Sequence, residues 1–216
     1  MIIKNHNENS REKALNIPTL TLICILSLIG VHALLQVLDE QQKTLLILKL
    51  SFIPAIYSNF SSTIFYQIYS PLTYILIHGN LTHLVINICM LAAFGSIIEK
   101  EFGRLNFLFI FFSCSLMGIF LHFLIFQNSY SPVIGSSGGI CGLFSFYLIN
   151  KIKQNKSSNL KIIQIFITLI LIFYLFSLID IFPQIDSTKL AWVVHIGGLL
   201  GGLIFFYLKK IFLNKN

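Results

Sequence analysis

Charged residues are nearly absent from several long stretches of this chain, each about 20 residues, the length an α-helix needs to cross a hydrocarbon core of roughly 30 Å. Six such stretches can be marked, at about 17–38, 72–97, 105–126, 133–150, 160–181 and 190–212. They predict an all-α, polytopic membrane protein: a cytoplasmic tail over residues 1–16, a six-helix membrane domain over 17–212 and a short cytoplasmic tail over 213–216. The first stretch lacks a small-residue cleavage pattern and runs on to about Leu38, so it is expected to stay as an anchor. The third and fifth are aromatic and β-branched throughout, as lipid-facing helices are. The second, fourth and sixth hold nearly all the intramembrane polar residues and glycine clusters, and are predicted to form an inner group.

Composition supports this picture, with 56% hydrophobic and 11% charged residues and a mean hydropathy of +0.82, too apolar for an ordinary soluble domain. The net charge of +7 does not point to nucleic acid, because the basic residues are scattered through connecting segments rather than gathered on one face. Their distribution sets orientation instead. With the N-terminus cytoplasmic, that side holds Lys4, Arg11, Lys13, Lys100, Arg104, Lys151, Lys153, Lys156, Lys161, Lys209, Lys210 and Lys215, against Lys43, Lys49 and Lys189 outside. Twelve against three predicts cytoplasmic termini, with the segments 39–71, 127–132 and 182–189 facing outward. The first of these is long, and its Leu45 to Tyr57 portion is read as lying at the interface. Cys24, Cys89, Cys114 and Cys141 all fall in apolar stretches and read as small buried hydrophobes rather than a disulfide framework.

Chemistry concentrates at Gly135-Ser136-Ser137-Gly138-Gly139. Pro132 and Gly135 interrupt any helix upstream, so regular helix is expected to start near Ser136 or Ser137 and run to Asn150, about 14 residues or roughly 21 Å. A helix that short would place Ser137 below the outer surface, in a water-filled depression, with unpaired backbone N–H groups pointing at it. A serine needs a base, and the candidate is His195 in the last stretch. Gly198 and Gly202 follow it on one helical face, and Gly138 and Gly142 make a matching face on the fourth stretch. Two small-residue faces allow close approach, which would bring His195 to Ser137. The second stretch adds His83 and Asn87, four apart and so on one face, able to donate to a single developing oxyanion. His78 is expected higher, near the interface, bracing the outer loop. His6, His32 and His122 are assigned no role.

Three histidines in the outer half raise the possibility of a metal, but no acidic residue lies among them and no His-Glu-x-x-His occurs. No metal or cofactor is implied. Gly-x-Ser-x-Gly is also the nucleophile elbow of the α/β-hydrolases, yet that context requires soluble βα units which this chain lacks. With no Asp or Glu in the apolar part of any stretch, Ser137 and His195 would act as a dyad rather than a triad. Transport through the membrane would want ionisable residues along both halves of a path, and the inner half has none.

Gly135-Ser136-Ser137-Gly138 resembles the Gly-x-Ser-Gly motif of the rhomboid family of intramembrane serine proteases. His195 with Gly198 and Gly202 is similar to that family's catalytic histidine and its glycine-rich last core helix. His83-x-x-x-Asn87, preceded by His78 and followed by Gly95, Glu99 and Gly103, is similar to its second span. The resemblance covers about Tyr66 to Gly202. It implies a six-helix rhomboid-like bundle in which Ser137 attacks and His195 moves the proton. His83, Asn87 and the Ser137 N–H would hold the oxyanion.

The implied partners are transmembrane protein substrates and the lipid bilayer, with access past the fifth stretch and beneath a cap at 182–189. Two positions depart from the family pattern: Tyr69-Ser70 stands where many members have Trp-Arg in the outer loop, and Cys141 where an aromatic commonly packs on the catalytic histidine. Both are expected to loosen their surroundings. The other reading of the resemblance is a rhomboid-like protein that binds membrane clients without cutting them; loss of the Ser or His would mark it, and both are present. The short tails fit a prokaryotic-type core in a bacterial inner membrane. The sequence sets no oligomeric state.

Overall fold

The computed structural model describes residues 16–58, 64–155, 158–178 and 192–213. Most of them are helical: α1 (Thr19–Val37), α2 (Glu40–Leu50), α3 (Pro54–Ser58), α4 (Ile64–Thr73), a 3-10 turn (Tyr74–Leu76), α5 (Leu81–Met90), a π turn (Leu91–Gly95), α6 (Ser96–Phe102), α7 (Arg104–Phe126), α8 (Ser137–Gln154), α9 (Asn159–Leu178) and α10 (Trp192–Leu213). Among the described residues four helices are long and apolar enough to cross a membrane: Thr19–Val37, Leu81–Phe102, Arg104–Phe126 and Trp192–Lys209. Helices α8 and α9 stand where the fourth and fifth spans are expected. The glycines of α8, with Lys151 and Lys153 at its end, hold its hydropathy down. The tail expected over 1–16 lies outside the described residues except for Asn16; residues 214–216 and the cap at 182–189 do so entirely.

Two span boundaries differ from expectation. The second span begins at Leu81 rather than near residue 72, because residues 77–80 leave the helix and Asn80 restarts it. Asn80 is extended (φ −154°, ψ 171°) and its side chain accepts the His83 N–H at 2.7 Å, an N-cap that fixes the helix start. At its inner end the same span continues through the π turn to Phe102, where Gly103 at φ 89° stops it. Helix α8 starts at Ser137 as expected but has 18 residues, about 27 Å at 1.5 Å per residue. The expected stop at Asn150 is a turn early: Lys151 and Lys153 extend the last turn, where basic side chains suit the helix dipole.

The inner group also differs. Helix α10 packs most extensively on α8 and on α7, and α7 on α8, whereas α5 touches α8 only lightly. The third span, expected to face lipid, is therefore core: Phe107, Ile110, Phe111, Cys114, Ser115, Gly118, Ile119 and His122 are buried. A β-carbon on Gly197 would lie 2.7 Å from both the Cα of Gly118 and the carbonyl of Met117, so these helices meet backbone to backbone. Helix α9 is peripheral, and Ile162 and Phe166 pack on Ile149, Ile152 and Leu199.

The entry-turn of α1 has no cap of its own, since its N-cap is Pro18. Glu99 supplies one across space. Its carboxylate accepts the N–H of Leu20 at 3.1 Å, the N–H of Thr21 at 2.7 Å and the Thr21 hydroxyl at 2.9 Å. Arg104 stands 3.7 Å away. An anion at a helix N-terminus satisfies donors that nothing in α1 can reach.

The outer loop is well tied despite lacking the Trp-Arg pair. Ser70 is fully buried and shares a short hydrogen bond with the Tyr57 hydroxyl, while the Tyr66 hydroxyl donates to the Ser51 carbonyl at 2.7 Å and accepts from the Ile53 N–H at 3.0 Å. Burial, the largest influence, pushes the Tyr57 phenol up to about 12, which keeps it a neutral donor at ordinary pH. The expected looseness at Tyr69-Ser70 is thus corrected: a tyrosine and serine network supplies the brace. Phe52 and Val133 exchange backbone hydrogen bonds of 3.0 and 2.8 Å, joining the loop to the segment that leads into Ser137.

Candidate active site

Residues 133–139 enter the core and turn sharply. Gly135 adopts φ 108°, a region open to glycine and costly for other residues. Its N–H donates to the Tyr74 carbonyl at 2.9 Å, and Tyr74 is itself pinned by a 2.8 Å bond from its hydroxyl to the Ser115 carbonyl. The turn delivers Ser137 as the first residue of α8. Ser137 therefore sits where the helix has N–H groups without intrahelical partners.

His195 arrives from α10. Gly198 packs against the backbone of Gly138, and Gly202 against the carbonyl of Gly142, too close for any side chain. Ser145 adds a hydrogen bond to the Leu199 carbonyl at 2.7 Å. This is the pairing of glycine faces expected from the sequence, and at the Ser137 end of the seam His195 Nε2 lies 2.7 Å from Ser137 Oγ. His195 is buried, and Val194 beside it fills the space over Gly138 and Gly118.

From the second span, His83 lies against the turn: a β-carbon at Gly135 would be 2.9 Å from its Cε1 and Nε2 and 4.0 Å from Ser137 Oγ. Gly135 thus leaves the space that the His83 ring occupies beside the serine. Asn87, nearly fully buried, is on the same face, but its side chain is already engaged. Its Oδ1 accepts from Ser136 Oγ at 3.0 Å and its Nδ2 donates to the His83 carbonyl at 2.8 Å.

His78 is not where the sequence suggested. It is 1% exposed, its ring meets that of His83 edge-on at 4.9 Å, and its Nε2 lies 3.5 Å from Ser136 Oγ. Because residues 77–80 are not helical, His78 folds back beside α5 instead of standing a turn above it. Cys141 is half-buried and packs against the cluster shared with α9.

Sequence reasoning passed over Ser136, Tyr74 and Ser115. For Ser136 a signal existed: a serine buried beside a nucleophile must find a partner. For Tyr74, inside an apolar run, there was none. Among the described residues no group of His, Cys, Asp and Glu is placed to hold a metal ion. What the arrangement can do is acid–base work on a hydroxyl: an imidazole within hydrogen-bond reach of a serine, at a helix N-terminus, with a second imidazole alongside.

The family described as Rhomboid domain matches residues 65–211 of this chain. Among curated proteins it is 28% identical over 137 residues to "Putative rhomboid protease YdcA" of Bacillus subtilis (strain 168), covering 63% of this chain and 65% of that protein. It is 26% identical over 145 residues to "RHOMBOID-like protein 7" of Arabidopsis thaliana, covering 67% of this chain and 44% of that protein. The chain spans less than two thirds of the length of either relative.

Proposed function

The chain belongs to the rhomboid family, and from that premise we propose that it is an intramembrane serine endopeptidase, cleaving transmembrane or juxtamembrane segments of membrane proteins. The observation that carries this reading is the 2.7 Å approach of His195 Nε2 to Ser137 Oγ. In the proposed reaction the Ser137 hydroxyl donates to the neutral imidazole, which takes the proton as Oγ attacks the scissile carbonyl. The imidazolium then protonates the leaving amine, and a water activated by the same imidazole hydrolyses the acyl-serine. The oxyanion is held by the Ser137 N–H, His83 and Asn87; removal of one such donor costs roughly 10²–10³ in kcat in enzymes that use them.

Six spans with both termini in the cytoplasm, in a bacterial inner membrane, are part of the same reading. Substrates reach Ser137 sideways past α9. Supporting it are the helices long enough to cross a membrane and the peripheral packing of α9.

The test is cleavage of a single-span reporter substrate in liposomes, together with fluorophosphonate labelling. Wild-type protein is expected to cleave and to label; Ser137→Ala is expected to do neither. Undiminished cleavage by Ser137→Ala would refute the assignment. A folded wild-type protein that neither cleaves nor labels would point to a rhomboid-like protein that only binds clients.

A further inference from the structure

Ser136 is fully buried and is the N-cap residue of α8, yet its side chain makes no capping bond to the helix. A serine in that place ordinarily gives its oxygen to the backbone N–H two or three residues on. Here the hydroxyl reaches across to the second span. It donates to Asn87 Oδ1 at 3.0 Å, which leaves its lone pairs facing His78 Nε2 at 3.5 Å. The other end of the Asn87 amide donates from Nδ2 to the His83 carbonyl at 2.8 Å. The amide is therefore held at both ends, and turning it over would set Oδ1 against the His83 carbonyl, oxygen facing oxygen.

We propose that Ser136 is a positioning residue for the oxyanion site: its hydroxyl fixes the orientation of Asn87 and locks the turn that carries Ser137 to α5. This rests on the serine-peptidase reading given above. Two donors assigned to the oxyanion, Asn87 and the Ser137 N–H, come from different helices, and their spacing depends on what joins those helices. Ser136 is one residue from the nucleophile and bonded to Asn87, so it spans that gap directly. An Asn87 amide without Ser136 is held at one end only. It can then swing and cease to present its remaining N–H where negative charge develops, which slows the chemical step without weakening substrate binding.

The test is a double-mutant cycle read by kinetics on the liposome reporter, using wild type, Ser136→Ala, Asn87→Ala and the double variant. Ser136→Ala is expected to lower kcat by about tenfold, the size of one lost hydrogen bond, with KM changed less than about twofold. In the Asn87→Ala background the further change at Ser136 is expected to cost less than about twofold, because its partner is already gone. Should the alanine variant not fold, Ser136→Cys, which keeps nearly the same volume with a much weaker donor, is read in its place with the same expectations.

Wild-type kcat in the single variant overturns the role, as does an equal loss in both backgrounds, which would mark Ser136 as packing independent of Asn87. Ser137→Ala separates the two levels. If it abolishes cleavage while Ser136→Ala has no effect, only the role of Ser136 falls; if it leaves cleavage intact, the peptidase reading falls and this role with it.

Discussion

Replacing Gly198 by alanine tests whether the dyad depends on two helices meeting backbone to backbone. The added methyl would land on the Gly138 carbonyl, with its carbon 2.9 Å away and the Gly138 Cα 3.2 Å away, where ordinary contact begins at 3.4 Å. Every one of those atoms is backbone, so no rotamer change relieves the overlap. Helix α10 must retreat by on the order of 1 Å, at a cost of about 1–3 kcal/mol for an overpacked interior. His195 precedes Gly198 by three residues on the same face and retreats with it. A 2.7 Å contact between Nε2 and Oγ then opens beyond hydrogen-bond range, and a misplacement of about 1 Å commonly costs on the order of 100-fold in rate. The measurement is kcat on the liposome reporter beside thermal unfolding in detergent. Gly30→Ala serves as control, since nothing lies within 4 Å of its β-carbon; it is expected to leave kcat unchanged and, as an alanine in a helix, to stabilise by up to about 1 kcal/mol. A folded Gly198→Ala protein with kcat within about threefold of wild type would refute the reasoning.

Glu99→Gln removes the charge from the carboxylate that accepts from Leu20, from Thr21 twice, and faces Arg104. The expected loss is about 2 kcal/mol in thermal or denaturant unfolding, since hydrogen bonds to charged groups are the stronger ones, with kcat of the folded protein unaffected. Gly135→Ala places a side chain at φ 108° and 2.9 Å from the His83 ring. It is expected to slow fluorophosphonate labelling of Ser137 by at least about tenfold through displacement of His83, while unfolding shifts by only about 1–2 kcal/mol.

Much of the site could be read from residue spacing because its spacing is local. Gly198 and Gly202 follow His195 at helical intervals, and Gly138 and Gly142 are four apart just after Ser137, so each face is visible within one segment, and the structure joins the two faces at those residues. His83 and Asn87 are visible for the same reason. What stayed hidden depends on where a helix breaks. Residues 72–80 are apolar enough to continue a span, and only the Asn80 cap shows that α5 starts at Leu81. Without that break His78 cannot be placed beside Ser136. The core role of α7 was masked in another way: Cys114, Ser115 and Gly118 are few among many aromatics, and their value lies in facing the glycines of α8 and α10, a match that exists only between segments.

The π turn at Leu91–Gly95 makes the two ends of the second span keep phase with each other. Each residue of a regular α-helix advances the chain by about 100° around the axis, so Glu99, twelve residues after Asn87, would be rotated by about 120° from it. A π turn holds one more residue than the α turn it replaces, and so takes back most of that rotation. Asn87 and Glu99 then lie on nearly the same side of the span, Asn87 bonded to Ser136 at one end and Glu99 to Leu20 and Thr21 at the other. It follows that these five residues are the one stretch of the span where the chain could lose a residue and keep both ends aligned. A deletion a turn away on either side would swing His83 and Asn87 or the α1 cap by about 100°.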